Sequence, residues 1–362
     1  MDGSVAIEAL AVAVSTNSPV LLWGSPGTGK TSAVLSLGRA LALPVEVVVG
    51  SIREPSDFAG LPVVLNGAVH FSPPAWAQRL HDARRGLLFL DELTTAPPAV
   101  QAAMLRVILE RVVGDLPLPP QVRIIAAANP PAQAADGWDL APPLANRLVH
   151  LDWPVDVRAI SRGLALGFPT PRLANVEREP SLAQTTAARA AVSAFLQARP
   201  ELVLTVPTDA NDASRAWPSP RSWEAVARLA AGCAAAQASD EARVALTVGA
   251  VGEGPALEFL AWLDKLDLPD PDALLADPDS FTLPERSDRA FAVLTAVVAT
   301  ATGRGDAESW QAAWRVVGLA ARTAPDVATL AARTLAQHRP DGAQLPDAVL
   351  DLVPILRAAG LL

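Results

Sequence analysis

The sequence predicts an α/β fold, a five-stranded parallel sheet with helices on both faces, followed by a helical region. Over the first 155 residues, short β-prone runs alternate with helical patterns, which is typical of a parallel sheet with crossover helices. After about residue 156 the β pattern fades, and Ala-rich helical segments are separated by Pro- and Asp-rich connections. At 362 residues the chain is also longer than one hydrophobic core usually supports.

The predicted elements follow one another in this order. An apolar helix at residues 9–14 is preceded by acidic residues, unlike an export signal. Residues 20–23 form a strand that leads into a glycine-rich turn and a helix from about residue 30 to 41. The remaining strands are predicted at residues 45–49, 86–90, 122–127 and 148–151. The third and fourth are continuous apolar runs, as expected at the centre of a covered sheet.

Two hairpins are predicted within the α/β part. Residues 61–71 hold two β-prone runs joined by Asn66 and Gly67, and this dipeptide favours a type I′ turn because both central residues need positive φ. Gly114 and Asp115 predict a second, shorter hairpin within residues 111–118. Both would be additions to the core rather than strands of the main sheet.

We expect three domains: an α/β core at residues 1–155 with a hairpin insert at about 53–75, a helical lid at 156–265, and a C-terminal helical extension at 266–362. The boundary is placed in the Pro- and Asp-rich connection at residues 266–283. In the extension, Trp310 and Trp314 lie on a helical stripe that is typical of a core, with a docking groove as the alternative.

Charge and hydropathy favour a cytoplasmic protein. The net charge of -9 argues against non-specific binding to nucleic acid or to an anionic membrane surface. The sequence contains no apolar run of the length that a membrane-spanning helix needs.

The strongest motif follows the first strand and has the pattern Gly-x4-Gly-Lys-Thr. Between a strand and a helix, this pattern predicts a phosphate-binding loop, in which backbone N–H groups and a lysine contact phosphates and a hydroxyl contacts Mg²⁺. The residues predicted to bind the nucleotide are Gly24, Ser25, Pro26, Gly27, Thr28, Gly29, Lys30, Thr31 and Ser32.

Three further features lie at or near predicted strand ends. Asp91 and Glu92 end the third strand, where Asp91 would hold Mg²⁺ together with Thr31 and Glu92 would polarise a water molecule. Asn129 ends the fourth strand and could contact the γ-phosphate, although Asn-Pro alone is a common turn. Arg147 precedes the fifth strand and would, considered alone, be a surface residue.

In this order, the motifs resemble those of AAA+ ATPases, and residues 1–265 resemble the MoxR-like branch. Residues 24–31 are similar to Walker A and residues 87–92 to Walker B. Asn129 and Arg147 resemble sensor 1 and the arginine finger, and residues 218–223 resemble sensor 2, with Arg221 as a phosphate contact or simply an early helix residue. The two hairpins resemble the helix-2 insert and the pre-sensor-1 hairpin. One departure is Asn146, where the family pattern has an acidic residue before the arginine.

This resemblance implies an Mg²⁺-ATP-dependent ATPase that forms a ring, most often a hexamer, in which Arg147 acts on ATP bound by a neighbour. Contact between ATP and Arg221 would couple the nucleotide to the helical lid. The expected work is remodelling or activation of a client protein, with a partner that carries a von Willebrand factor A-like domain. The alternatives are a nucleotide-gated scaffold with negligible turnover and a DNA-translocating motor.

Overall fold

The computed structural model describes residues 2–130, 138–168, 170, 171, 173, 175–265, 268–344 and 346. The chain divides into two compact units, Met1–Glu179 with Leu204–Leu257, and Pro180–Val203 with Glu258–Leu362. The three-domain division expected from the sequence stays a prediction. None of the helices in the described part of the chain combines the length and the apolar character required to cross a membrane.

The strands lie in the first unit. In chain order they are β1 (Val20–Trp23), β2 (Val45–Val49), β3 (Leu61–Leu65), β4 (Ala68–Ser72), β5 (Arg85–Asp91), β6 (Val112–Val113), β7 (Leu116–Pro117), β8 (Gln121–Ala128) and β9 (Val149–Asp152). The main sheet has the order β2-β5-β8-β1-β9, and its pairs are parallel. The predicted fold class is therefore confirmed.

The register of this sheet brings several strand ends to one edge. Trp23 pairs with Ala128 on one side and with Asp152 on the other, and Leu90 pairs with Ala126. The side chains of β1 are buried throughout, and those of β5 and β8 are mostly buried, as expected from their continuous apolar runs. The residues that follow β1, β5 and β8 therefore share the carboxyl edge, where open α/β sheets bind ligands.

Both predicted hairpins are present. Strands β3 and β4 pair antiparallel, and the turn between them has Asn66 at φ 52° and Gly67 at φ 79°. These positive values are those of the type I′ turn that Asn-Gly favours. Strands β6 and β7 form the second hairpin, with Gly114 at φ 61° in its turn.

Some of the helices pack with the sheet in the first unit, and others make up the described part of the second unit. In chain order they are α1 (Gly3–Ser15), α2 (Lys30–Ala40), α3 (Ser56–Ala59), α4 (Ala75–Ala83), α5 (Pro98–Glu110), α6 (Pro142–Ala145), α7 (Val157–Leu166), α8 (Leu182–Ala198), α9 (Ala210–Ala213), α10 (Pro220–Ala236), α11 (Asp240–Val251), α12 (Glu253–Leu263), α13 (Pro271–Ala276), α14 (Ser287–Arg304), α15 (Ala307–Ala321) and α16 (Pro325–Gln337). The carboxylate of Asp2 caps α1, because it accepts hydrogen bonds from the backbone of Ser4 and Val5.

The second unit has its own hydrophobic core. Trp310 and Trp314 are fully buried, their rings meet edge to face at 5.9 Å, and the Trp310 indole N–H donates to the Leu335 carbonyl at 2.9 Å. Their stripe is therefore core, and the docking groove that the sequence left open is not formed by these two side chains.

Part of the expected connection at residues 266–283 is helical rather than irregular. Pro271 occupies the first turn of α13, and the Asp270 carboxylate accepts a hydrogen bond from the Asp272 N–H. A proline early in a helix behind an aspartate cap starts a helix, so the Pro- and Asp-rich composition was a poor guide to an irregular segment. Residues 266, 267, 345 and 347–362, part of the predicted C-terminal extension, lie outside the described residues.

Candidate functional site

The loop between β1 and α2 turns sharply at two glycines. Gly27 and Gly29 have φ values of 76° and 86°, and a Cβ added at either position would meet nothing within 4 Å. Glycine is therefore needed here for its backbone conformation rather than for space. The start of the loop is held to the sheet, because the Gly24 N–H donates to the Ala128 carbonyl at 3.1 Å.

Lys30, the first residue of α2, folds back over this loop. Its side chain is 8% exposed, and Nζ donates to the carbonyls of Gly24 at 2.6 Å and Ser25 at 3.1 Å. It also donates to Asn129 Oδ1 at 3.2 Å, so the sheet brings the two predicted phosphate contacts together. Burial lowers the pKa of Lys30, and the nearby Asp91 charge acts in the opposite direction.

Thr31 and Asp91 form a pair of oxygen groups at the same edge. The Thr31 hydroxyl donates to Asp91 Oδ2 at 2.8 Å across the gap between α2 and β5. A hydroxyl beside a carboxylate fits Mg²⁺, which binds through one or two protein oxygens together with phosphates and water. Among the described residues, no group of three or more His, Cys, Asp or Glu side chains forms a metal site of protein ligands alone.

Glu92 has an unusual backbone and an unexpected partner. Its φ is 58°, in the left-handed region, and its N–H donates to Asp91 Oδ1 at 2.9 Å. The Ser51 hydroxyl donates a short hydrogen bond to Glu92 Oε2. Ser51 follows β2 after one residue, Gly50, and no sequence motif identified it. Its position after a strand of the same sheet is the signal that could have done so.

These groups surround one cavity of about 370 Å³, which we call the phosphate pocket. It is lined by Pro26, Gly27, Thr28, Gly29, Lys30, Thr31, Ser32, Asp91, Glu92 and Asn129. Gly24 and Ser25 do not line it but accept hydrogen bonds from Lys30 through their carbonyls. The phosphate pocket therefore combines residues predicted from the sequence as separate motifs.

The two predicted arginines lie elsewhere in the same unit. Arg147 and Arg221 line a different cavity of about 180 Å³, together with Arg228, and we call this space the arginine cavity. The described residues that line it include no acidic side chain, although Arg228 pairs with Glu224 at 3.1 Å. Arg221 does not line the phosphate pocket of its own chain, and its contact with ATP stays a prediction.

Arg147 is held by the turn that carries it. Its Nη1 donates to the Pro143 carbonyl at 2.5 Å, whereas Nε is buried and has no hydrogen-bond partner among the described residues. Burial lowers the pKa of Arg147, and the positive charge of Arg221 lowers it further. An anion entering the arginine cavity would offset the repulsion between the two arginines.

Asn146, the departure from the family pattern, has a structural explanation. Its side chain is 7% exposed, Nδ2 donates to the Trp217 carbonyl at 2.9 Å, and Oδ1 accepts from the Ser219 hydroxyl at 2.7 Å. An ionised aspartate could accept but could not donate to a carbonyl. The asparagine therefore joins the Arg147 turn to the start of α10, which carries Arg221.

The hairpins β3–β4 and β6–β7 contact each other. The Phe71 N–H donates to Asp115 Oδ2 at 2.8 Å, and the Asp115 N–H donates to the Phe71 carbonyl at 3.1 Å. The larger hairpin also presents apolar side chains to solvent, including Val64, which is 71% exposed. The apolar hairpin is therefore tied to the shorter one by backbone contacts.

Comparison with known proteins finds similar sequences for the segment that contains the phosphate pocket. Residues 19–148 match the family described as AAA domain (dynein-related subfamily). The chain is 30% identical over 139 residues to the pathogenicity locus regulatory protein WtsA of Pantoea stewartii subsp. stewartii, a match that covers 34% of this chain and 42% of that protein. It is 35% identical over 152 residues to the Psp operon transcriptional activator of Escherichia coli K12, covering 37% of this chain and 46% of the activator.

The matched segment thus spans less than half of the length of either regulator. A solved structure of a candidate ATPase from Cytophaga hutchinsonii aligns over 72% of this chain and 88% of that chain, with 17% identity and a TM-score of 0.47.

Proposed function

We propose that this chain, whose residues 19–148 form an AAA domain, is an Mg²⁺-ATP-dependent ATPase that assembles into a ring. The observation that carries the proposal is the phosphate pocket, where Lys30, Asp91, Glu92 and Asn129 surround a loop of phosphate-binding form. Each of these groups has the chemistry that phosphoryl transfer to water requires.

The roles follow from the contacts. Lys30 would exchange its loop carbonyls for the β- and γ-phosphate oxygens, and Asn129 would share the γ-phosphate with it. Thr31 and Asp91 would hold Mg²⁺, which neutralises charge that develops on the phosphates. Glu92 would orient the attacking water and accept its proton, with the Ser51 hydroxyl as a competitor for one carboxylate oxygen.

The arginine cavity supports the ring. Arg147 and Arg221 lie together, apart from the phosphate pocket of their own chain, in a space whose described lining lacks acidic residues. We propose that both arginines complete the phosphate pocket of a neighbouring subunit. An arginine supplied in this way is worth about 10³ to 10⁵ in rate, so the separated subunit should be a poor ATPase. The stoichiometry we propose is a hexamer.

The output we propose is remodelling or activation of a client protein, as the resemblance to the MoxR-like branch implies. The exposed apolar hairpin β3–β4 supports contact with protein rather than nucleic acid, since its only ionisable side chain is His70. A partner with a von Willebrand factor A-like domain belongs to this proposal. The curated relatives named above are a pathogenicity locus regulatory protein and a transcriptional activator, and their likeness is confined to about a third of this chain.

One contact favours an alternative, a nucleotide-gated scaffold. Because the Ser51 hydroxyl donates to Glu92 Oε2, one of the two carboxylate oxygens is engaged in this conformation. A scaffold would keep this contact with ATP bound and turn over negligibly, whereas in an ATPase a water molecule would compete with Ser51 for the carboxylate. A DNA-translocating motor has no such support, and the net charge of -9 argues against it.

The deciding experiment measures ATP turnover against protein concentration for the wild type, Glu92→Gln and Arg147→Ala, with the mass of the nucleotide-bound species. We expect turnover to rise with assembly and to be lost in both variants, while Glu92→Gln still binds ATP and assembles. Equal turnover per subunit in the dilute monomer would exclude action between subunits. Assembly without turnover in the wild type would favour the scaffold, and strong stimulation by DNA would favour the motor.

The client is best sought with the same variant. Glu92→Gln should retain ATP and hold the client-bound state, so proteins that copurify with it and not with the wild type are candidates. Lys30→Ala, which should not bind ATP, is the control for proteins that bind regardless of nucleotide.

A further inference from the structure

A buried aromatic pair lies behind the phosphate loop, where β1 and β9 are neighbours. Leu21 pairs with His150 and Trp23 with Asp152, so Trp23 and His150 are diagonal neighbours on one face of the sheet. Their rings are nearly parallel, 19° apart with centroids at 6.1 Å, and the two side chains are 2% and 7% exposed. The Trp23 Nε1–H donates to His150 Nδ1 at 2.8 Å.

This contact fixes the proton on the imidazole. An indole nitrogen can only donate, so His150 Nδ1 must be the unprotonated acceptor. Nε2 then carries the hydrogen and donates to the Ala145 carbonyl at 2.9 Å. Burial lowers the pKa of His150 to about 4, the Ala145 carbonyl opposes this, and the charge of Arg215 adds to it. The ring is therefore neutral near pH 7 and uses both nitrogens.

One end of this chain of contacts reaches the phosphate loop. Trp23 directly precedes Gly24, the first residue of the loop. The Trp23 carbonyl accepts a hydrogen bond from the Trp153 N–H at 2.5 Å, and the Trp153 indole N–H donates to the Thr28 carbonyl at 3.3 Å. A displacement of the loop is thus felt at Trp23 through the chain itself and through Trp153.

The other end reaches Arg147. Ala145 is the last residue of α6, and its carbonyl also accepts from the Leu148 N–H at 3.2 Å. This second bond closes the tight turn in which Asn146 and Arg147 lie. The imidazole therefore stands between the strand that carries the phosphate loop and the turn that carries the arginine.

We propose that His150 is a positioning residue that keeps the Arg147 turn in register with the phosphate loop. The inference rests on the proposed action of Arg147 on a neighbouring subunit. Its physical basis is that the imidazole supplies one acceptor and one donor at a fixed separation on a rigid ring. A phenylalanine would fill the same space but would leave the Trp23 N–H unpaired and would remove one of two contacts to the Ala145 carbonyl. A glutamine can supply both an acceptor and a donor.

The test is a double-mutant cycle on the full chain at a concentration where the ring is assembled. The variants are His150→Phe, His150→Gln, Arg147→Ala and the double variant His150→Phe/Arg147→Ala, with the exposed His338→Phe as the matched control. Turnover, nucleotide affinity from a fluorescent ATP analogue, assembly and thermal unfolding are measured for each. A variant that loses turnover but keeps its nucleotide affinity has lost positioning, whereas a variant that loses both has a damaged phosphate pocket.

We expect His150→Phe to lose between about tenfold and 10²-fold in turnover, the range that a misplaced reacting group produces. Its nucleotide affinity should stay within about twofold of the wild-type value, because the variant keeps every group that binds ATP in the ground state. His150→Gln should recover most of the turnover, and His338→Phe should match the wild type. In the Arg147→Ala background, His150→Phe should cost nothing further, because its effect passes through the arginine.

Other outcomes overturn the inference. Additive losses in the double variant, or a loss of nucleotide affinity as large as the loss of turnover, would mean that His150 acts on the core and not on Arg147. If Arg147→Ala itself leaves turnover unchanged, the proposed function fails instead, and the two failures are distinguishable. Should His150→Phe not fold, Trp23→Phe keeps an aromatic ring and removes the donor, and it must show the same non-additivity with Arg147→Ala.

Discussion

The phosphate pocket and the arginine cavity lie in the same unit, yet their electrostatics are opposite. In the phosphate pocket, Lys30 is balanced by Asp91 and Glu92, and its polar groups satisfy one another. In the arginine cavity, Arg147 and Arg221 face each other without an acidic partner among the described lining, and the Arg147 Nε is unpaired. A buried donor without a partner costs about 1–3 kcal/mol.

The two regions therefore differ in their charged neighbours. Lys30 has acidic side chains in its own pocket, whereas Arg147 and Arg221 have none among the described residues that line their cavity, and only Arg228 pairs with an acid, Glu224. In the ring that we propose, ATP held by the neighbouring subunit supplies negative charge to Arg147 and Arg221. The predictions below test whether the two regions are halves of one site that lies between subunits.

The largest effect is expected from mixing two inactive variants. Lys30→Ala disables the phosphate pocket but keeps Arg147. Arg147→Ala keeps the phosphate pocket but removes the arginine, which should lower turnover by about 10³. If the halves meet between subunits, an equimolar mixture should regain turnover well above the sum of the two proteins measured apart. Turnover in mixed and separate samples, with native mass to verify mixed rings, makes the comparison.

The chain offers a close control for that experiment. Its two lysines are Lys30 and the exposed Lys265, and Lys265→Ala should behave as the wild type both alone and in mixtures. A mixture of Lys30→Ala with Arg147→Ala that only equals the sum of its parts, in rings verified as mixed, would mean that the two halves do not meet.

A smaller effect is expected from acid, through the histidine that lies between the two regions. Burial lowers the pKa of His150 to about 4 in the folded chain, against an ordinary value of 6.5, while the charge of Asp152 favours the protonated ring. Between these values the unfolded chain binds more protons than the folded one, so stability rises with pH there. Stability should fall as the pH drops from about 6.5 to about 4, by at most about 3 kcal/mol.

Urea unfolding of the wild type and His150→Gln between pH 7 and pH 4.5 isolates this contribution. Glutamine does not titrate, so the difference in the free energy of unfolding between the two proteins should change across this range. Parallel curves would show that His150 keeps an ordinary pKa. The contacts of Trp23 and Ala145 with its two nitrogens would then need another explanation.

Local motifs predicted most of the phosphate pocket and little of the arginine cavity. Lys30, Thr31, Asp91, Glu92 and Asn129 each follow or end a recognisable strand, and parallel strands bring their carboxyl ends to one edge, so their meeting could be foreseen. The pairing of Asn146 with Trp217 and Ser219 joins residues more than 70 positions apart, and that of His150 with Trp23 joins residues 127 apart. A local sequence pattern cannot predict such contacts, because they depend on how distant helices and strands pack against each other.

Asn146→Asp should have an effect of intermediate size on the arginine cavity. The carboxylate cannot donate to the Trp217 carbonyl, which keeps its hydrogen bond from the Ser222 hydroxyl at 3.0 Å, so losing the Asn146 bond should cost about 1 kcal/mol in the free energy of unfolding. The new charge would also attract Arg147 and Arg221, in competition with the phosphate of a neighbour. We therefore expect lower stability in urea and lower turnover, with nucleotide affinity unchanged. The exposed Asn211→Asp is the matched control, and an undiminished turnover in Asn146→Asp would contradict the competition.

The smallest effect concerns the state of Glu92, and it should be a gain. Ser51 donates a hydrogen bond to Glu92 Oε2, and its hydroxyl competes with water for that oxygen. A hydrogen bond contributes about 1 kcal/mol net, so Ser51→Ala should raise turnover by about threefold to tenfold without changing the KM for ATP. The exposed Ser72→Ala serves as control. A fall in turnover in Ser51→Ala would mean that Ser51 orients Glu92 for the reaction instead of withholding it.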